Sequence, residues 1–90
     1  MSTTQRPRRI VSLILHHAGD DYLVHDQERA KVHVLNSAAG LVLSLCDGDH
    51  SIPEIVDVIE RPGVVQRTEA QRDVTRILHE FEKLHLLERI

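Results

Sequence analysis

The side chains best suited to chemistry in this sequence are seven histidines and one cysteine. His16, His25 and His33 fall in or next to three consecutive β-rich segments, so a small sheet could bring them together as metal ligands. However, no two histidines have the HxxxH spacing with a supporting carboxylate, and one cysteine cannot build a thiolate site. The sequence therefore predicts surface or edge histidines, with no metal and no other cofactor.

Catalysis has equally little support. Asp47 and Asp49 flank Gly48, and a turn that ends a helix explains this pair better than an acid–base site does. Cys46 lies within an apolar helical pattern, where burial raises a thiol pKa and makes the group inert. The chain also lacks a nucleophile elbow and a Gly-rich phosphate loop. We therefore predict that this protein is not an enzyme.

Composition narrows the class of protein further. Ninety residues with 41% apolar and 28% charged side chains are typical of one small soluble domain. A net charge of -3 and a 2% aromatic content argue against nucleic acid and anionic membranes as partners. The lone cysteine, the absence of a signal peptide and the lack of a spanning apolar run predict a reduced, cytoplasmic setting.

The first half of the chain predicts an antiparallel meander. Residues 10–15, 22–25 and 31–35 are β-rich and are separated by a turn at 18–21 and a short polar connection. In the third strand, Val32 and Val34 share one face, and the remaining residues share the other. Residues 1–9 are polar with three arginines and predict a flexible or loosely docked arm, which leaves 10–90 as the domain.

The second half predicts three helices. The first covers residues 38–46 behind an Asn36 or Ser37 cap, and Gly48 suits the left-handed position after it. The second runs from a Ser51–Glu54 capping box to about residue 60, before Pro62-Gly63. The third covers 69–85, behind a weaker capping box that starts at Thr68. Leu86, Leu87 and Ile90 are apolar, and we expect them to pack back on the domain. The expected fold class is therefore α+β, ordered βββααα, and it is also compatible with a winged helix-turn-helix.

Several short motifs follow one another in a fixed order: a strand-to-helix junction, an aliphatic pair, an Asp-Gly turn and the start of the next helix. They are Val34-Leu35-Asn36-Ser37-Ala38-Ala39, Val42-Leu43, Leu45-Cys46-Asp47-Gly48, and Ser51-Ile52 with Ile55-Val56. Together they resemble the PqqD family, whose members are small proteins of pyrroloquinoline quinone biosynthesis. The likeness extends from about residue 10 to Leu86-Leu87. It implies the same three strands and three helices that the residue patterns predict.

The resemblance also implies a function. Such domains act as RiPP recognition elements, which bind the leader of a ribosomally made precursor peptide and present it to a separate modifying enzyme, such as a radical enzyme, a leader peptidase or a cyclase. Lasso peptides are among the products of these pathways. The leader adds as a strand beside strand three and lies in a groove against helix three. Carried onto this chain, the peptide-binding residues are Lys31, Val32, His33, Val34, Leu35, Asp73, Arg76, Ile77 and Glu80.

Other functions remain open from the sequence. A winged-helix DNA-binding or regulatory protein is the main alternative, with Arg72, Arg76 and Lys83 on helix three as candidate contacts. Asp73, Glu80 and Glu82 are interleaved with these cations and cancel most of their field. A purely structural subunit of a biosynthetic complex is a third possibility. In any of these roles, an exposed edge strand could also pair with a second copy to form a homodimer.

Overall fold

The computed structural model of this protein describes residues 5–61 and 63–88. Three antiparallel strands are followed by three helices, which confirms the predicted α+β fold and its βββααα order. The elements are β1 (Leu13–Ala18), β2 (Asp21–Asp26), β3 (Lys31–Leu35), α1 (Ser37–Leu45), α2 (Ile52–Ile59) and α3 (Arg67–Lys83).

The first strand begins later than the sequence predicts. β1 covers Leu13–Ala18 instead of residues 10–15. The Ile10 N–H donates to the Leu86 carbonyl at 3.0 Å, which ties residue 10 to the end of the chain. Residues 11 and 12 then form a turn, so Ile10 packs against the core outside the sheet, whereas Val11 is 90% exposed.

Two hairpins connect the strands. Gly19 has a φ of +65°, as required at the first central position of a two-residue turn between Ala18 and Asp21. The second hairpin depends on Asp26, whose side chain is buried on the core side of β2. Its carboxylate accepts hydrogen bonds from the Ser12 hydroxyl and the Arg29 N–H, both at 3.2 Å. Because the buried carboxylate has these two hydrogen-bond partners, it stabilises the turn that leads into β3.

The helices pack on one face of the sheet, where a single apolar core forms. It includes buried residues from all six elements, among them Leu13, Val24, Leu43, Ile55 and Phe81. The predicted caps of the first two helices are confirmed. The Asn36 side chain accepts the Ala39 N–H, and Ser51 and Glu54 form the reciprocal capping box.

The predicted start of the third helix is wrong. α3 begins at Arg67, behind Gln66, and no side-chain cap is present there. Instead, the Arg67 guanidinium contacts the carboxylates of Asp57 and Glu60 on and just after α2. The start of α3 is therefore fixed by contacts with the α2 region and not by a capping box at Thr68. Pro62, in the predicted break before it, lies outside the described residues.

Part of the predicted N-terminal arm is docked on the domain. The Arg9 N–H donates to the Cys46 carbonyl at 2.8 Å, and the Gly48 N–H donates to the Pro7 carbonyl at 3.1 Å. The Arg9 guanidinium also donates to the Ser44 carbonyl at 3.1 Å, at the end of α1. Residues 7–9 therefore close the carboxyl end of α1, whereas residues 1–4 lie outside the described part of the chain.

The chain end also packs on the domain as predicted. Leu86 is fully buried, and Leu87 packs against the core. Residue 9 forms a β-bridge with residue 87, which joins the two ends of the described chain. Ile90, predicted to pack with these leucines, lies outside the described residues.

Candidate functional site

β3 is an edge strand. The strand order in the sheet is β1-β2-β3, so β2 occupies one side of β3, and within the described chain no strand pairs with the other side. The five residues of β3 are flanked by a four-residue turn and by the Asn36 cap of α1. The rigid elements on both sides hold an edge whose backbone can accept another strand.

The hairpin turns determine which backbone groups of β3 are free. In a two-residue hairpin the flanking residues, here Ala18 and Asp21, form a doubly hydrogen-bonded pair, and bonded pairs then alternate along the strands. In the register of β2 and β3, the pairs that contain Leu35, His33 and Lys31 are therefore the ones joined by backbone hydrogen bonds. The N–H and C=O groups of Val32 and Val34 therefore point toward the free edge.

A groove of about 290 Å³ runs between the end of β3 and α3. The side chains of Leu35, Ile77 and Phe81 are buried in its floor. The complete lining is Val34, Leu35, Asn36, Ala38, Ala39, Ile59, Asp73, Arg76, Ile77, Glu80, Phe81 and Leu84. An apolar floor with a few polar groups at its border suits one or two apolar side chains of a bound peptide.

The charged border of the groove belongs to α3. Asp73, Arg76 and Glu80 recur at helical spacing beside Ile77, so they form one stripe along the groove. The Arg76 guanidinium lies 3.6 Å from the Asp73 carboxylate, and the Lys83 ammonium lies 3.8 Å from that of Glu80. These exposed pairs contribute little stability and can rearrange when a partner binds.

The same ion pairs bear on the DNA-binding alternative. Two of the three candidate cations on α3, Arg76 and Lys83, are each within 4.0 Å of a carboxylate one turn away. Phosphate contacts would have to compete with these carboxylates, and the chain as a whole carries a charge of -3. The geometry of α3 therefore gives the alternative no added support.

Six of the nine predicted peptide-binding residues line this groove. They are Val34, Leu35, Asp73, Arg76, Ile77 and Glu80. Lys31, Val32 and His33 lie on β3 but do not line the groove. Val34 shares the outward face of Val32 and borders the groove at the end of the strand. That these nine residues bind a peptide stays a prediction, whereas their placement along one edge and groove is a feature of the fold.

The sequence prediction missed part of the groove. Asn36, Ala38 and Ala39 come from the start of α1, Ile59 from α2, and Phe81 and Leu84 from the end of α3. In the sequence, Ile59, Phe81 and Leu84 belong to helical apolar patterns that predict core positions. No signal in those patterns distinguishes a core side chain from one that also borders a groove.

The three histidines of the metal hypothesis do not converge. His16 and His25 point to the exposed face of the sheet, whereas His33 points to the helix side, opposite Val24. Among the described residues, no group of three or more His, Cys, Asp or Glu side chains is placed to hold a metal ion. Because side chains alternate along a strand, His33 lies on the opposite face of the sheet from His16 and His25.

Cys46 has the environment predicted for it. Its side chain is fully buried at the end of α1, and this burial raises the thiol pKa to about 12. The positive charge of the nearby Arg9 lowers this pKa, but by less than burial raises it. A thiol in this state is neither a good nucleophile nor a good metal ligand at neutral pH.

The fold and the groove define a class: a small α+β domain with a free sheet edge beside a helix. The family model described as coenzyme PQQ synthesis protein D (PqqD) matches residues 21–87. The chain therefore belongs to the PqqD family, as its motifs predict. Among curated proteins, no significant match is found. None of the helices in the described chain is long and apolar enough to cross a membrane.

Two solved structures share the fold over nearly their whole length. The structure of TbiB1 in complex with the TbiA(beta) leader peptide is 22% identical, with a TM-score of 0.78, and the match covers 92% of this chain and 96% of that one. Lasso peptide synthetase B1 complexed with the leader peptide is 17% identical, also with a TM-score of 0.78, over 93% and 99% of the two chains. At these identities the likeness concerns the fold.

Proposed function

We propose that this protein binds the leader of a ribosomally made precursor peptide and presents it to a separate modifying enzyme. The leader adds as a strand to β3 and places side chains in the groove beside α3. Membership of the PqqD family supports this function, as do the leader peptides in two solved structures of the same fold. The protein itself contributes binding and no chemical step. We place this role in the cytoplasm.

The observation that carries the proposal is the free edge next to a preformed groove. The backbone groups of Val32 and Val34 point outward, and the groove floor begins at Leu35, the last residue of the same strand. A peptide can therefore satisfy the edge with its backbone and bury alternate side chains in the groove. Main-chain bonds give affinity with little sequence demand, and the buried side chains give specificity.

The energy required is modest. A micromolar complex needs about -8 kcal/mol. A few main-chain hydrogen bonds contribute roughly 1 kcal/mol each, and each well-buried apolar side chain contributes roughly 2 kcal/mol. Ordering of the peptide offsets part of this sum. The groove of about 290 Å³ has room for the small number of buried side chains that this balance requires.

Calorimetry with the leader of the precursor encoded beside this gene tests the proposal. Val34→Pro removes the outward N–H of the edge without removing a hydrogen bond between β2 and β3. We expect the leader affinity to fall by at least about tenfold. The matched control, Val34→Thr, keeps the N–H and the β-branched shape, and its affinity is expected to stay within about threefold of the wild type.

Circular dichroism and urea denaturation of both variants establish that the fold is retained. If folded Val34→Pro binds the leader as tightly as the wild type does, strand addition at β3 is wrong. If the wild type itself fails to bind the leader, the proposed function is wrong as a whole.

A further inference from the structure

One face of the sheet is apolar and carries none of the helices. Its side chains alternate with the buried ones along each strand. Ala18 and Asp21 lie on it beside the turn between β1 and β2, and we call its other six residues the outer face: Ile14, His16, Leu23, His25, Val32 and Val34. Leu23 lies between His16 and Val34, and His25 lies between Ile14 and Val32. Val32 is 61% exposed and Val34 is 66% exposed. Four of the eight exposed large hydrophobic residues in the described chain meet on this face.

The outer face has no Lys, Arg, Asp or Glu residue, although these types make up 28% of the chain. Among the strand residues on this side of the sheet, Asp21 beside the β1–β2 turn is the one carboxylate. Edge strands in free proteins usually carry charges or prolines that oppose association. β3 has one charge, Lys31 at its start, and its two outer-face residues are both valines. An exposed apolar cluster of this kind is typical of a surface that another protein covers.

We infer that the outer face docks the modifying enzyme, through an apolar and uncharged surface of that enzyme, when a leader strand lies on β3. This inference rests on the proposed function. α1 and α3 close the helix side of the groove, so a bound leader remains accessible from the outer side. Outward side chains of the added strand would adjoin Val32 and Val34. The enzyme would thus contact the sheet and the leader together.

A second copy of this chain is a poorer occupant of the same surface. Stable complexes bury about 800 Å² on each partner. With strands about 4.8 Å apart, the outer face is only about 10 Å wide between the axes of its outermost strands. Two bare copies would therefore bury too little surface to associate firmly. An enzyme that also binds the leader beyond this domain gains the contact area that a second copy lacks.

The test uses Leu23→Lys, in the middle of the outer face and one strand away from the leader edge. The matched control is Val58→Lys, which places the same charge at an exposed valine of α2. Each variant is combined with the precursor peptide and the modifying enzyme encoded beside this gene. The measurements are leader affinity by calorimetry, enzyme binding with and without leader by biolayer interferometry, and the rate of precursor modification.

We expect Leu23→Lys to keep the leader affinity within about threefold, and to weaken enzyme binding and modification by at least about tenfold. Val58→Lys should match the wild type in all three measurements. Unchanged enzyme binding and modification with Leu23→Lys would overturn the inference while leaving leader binding intact. A wild-type dimer that Leu23→Lys dissociates, found by analytical ultracentrifugation, would overturn it in favour of a second copy.

Discussion

β3 and α1 are adjacent in the chain, but their valines differ in exposure to solvent. Val32 and Val34 of β3 are 61% and 66% exposed, whereas Val42 of α1 is completely buried. The two segments are separated by Asn36, whose side chain caps α1. The same residue type therefore stabilises the core on one side of the cap and lies in water on the other.

This difference separates stability from function. Burial of a valine stabilises the fold by roughly 1.5–3 kcal/mol, and an exposed valine contributes almost none of this energy. The valines of β3 therefore need a different explanation, and the free edge and the outer face provide one. The buried residues of α1 and its C-cap, by contrast, are sufficiently explained by packing: Gly40, Val42, Leu43 and Cys46.

Truncation of a side chain in each segment should give the largest contrast. Leu43→Ala leaves a cavity in the core and is expected to lower the free energy of unfolding by about 3 kcal/mol. Val34→Ala should change it by less than about 0.5 kcal/mol, because the side chain is mostly in water. Urea denaturation monitored by circular dichroism measures both. Equal losses in the two variants would contradict the assignment of Val34 to a binding surface.

A smaller loss of stability is expected where α1 packs closely against the sheet. A Cβ atom at Gly40 would overlap the ring of Tyr22 on β2. Gly40→Ala is therefore expected to lower the free energy of unfolding by about 2 kcal/mol, although alanine is the better helix former. In a Tyr22→Leu background the same substitution should cost much less, and a double-mutant cycle in urea measures this coupling. Additive effects would mean that the close approach does not constrain α1.

Local patterns predicted the parts of the fold that depend on local chemistry. The bounds of β3, the Asn36 cap and the Ser51–Glu54 capping box follow from alternation and from side chains that bond to nearby backbone groups. The first strand was misplaced because a β-branched run specifies a tendency, while the partner strand and the Ile10–Leu86 hydrogen bond determine where pairing starts.

The candidate site was predictable only in outline. Resemblance to the PqqD family pointed to β3 and to one face of α3, and the structure brings six of the nine predicted residues to one groove. The contribution of Ile59 and of the start of α1 depends on how three helices meet, which no local pattern records. Arg9 illustrates the same limit, because its partner, the Ser44 carbonyl, lies 35 residues away in the sequence.

The smallest expected effect concerns the turn after α1, where His50 and Asp47 form a partly exposed pair at 3.0 Å. The hydrogen bond to Asp47 raises the pKa of His50 above its ordinary value of 6.5. The hydrogen bond from His50, with that from the Asp49 N–H, lowers the pKa of Asp47 below its ordinary value of 3.8. Both shifts favour the charged forms, so the two side chains form an ion pair in the turn after α1.

The signs of these shifts define a pH window. A raised histidine pKa stabilises the fold below pH 6.5, and this contribution is lost as the pH rises through the folded value. A lowered aspartate pKa stabilises the fold above pH 3.8, and its contribution is lost as the pH falls through the folded value. His50→Gln should therefore reduce the urea midpoint most at about pH 5 and less at about pH 3 or pH 8. A pH-independent reduction would assign His50 a packing role in place of the ion pair.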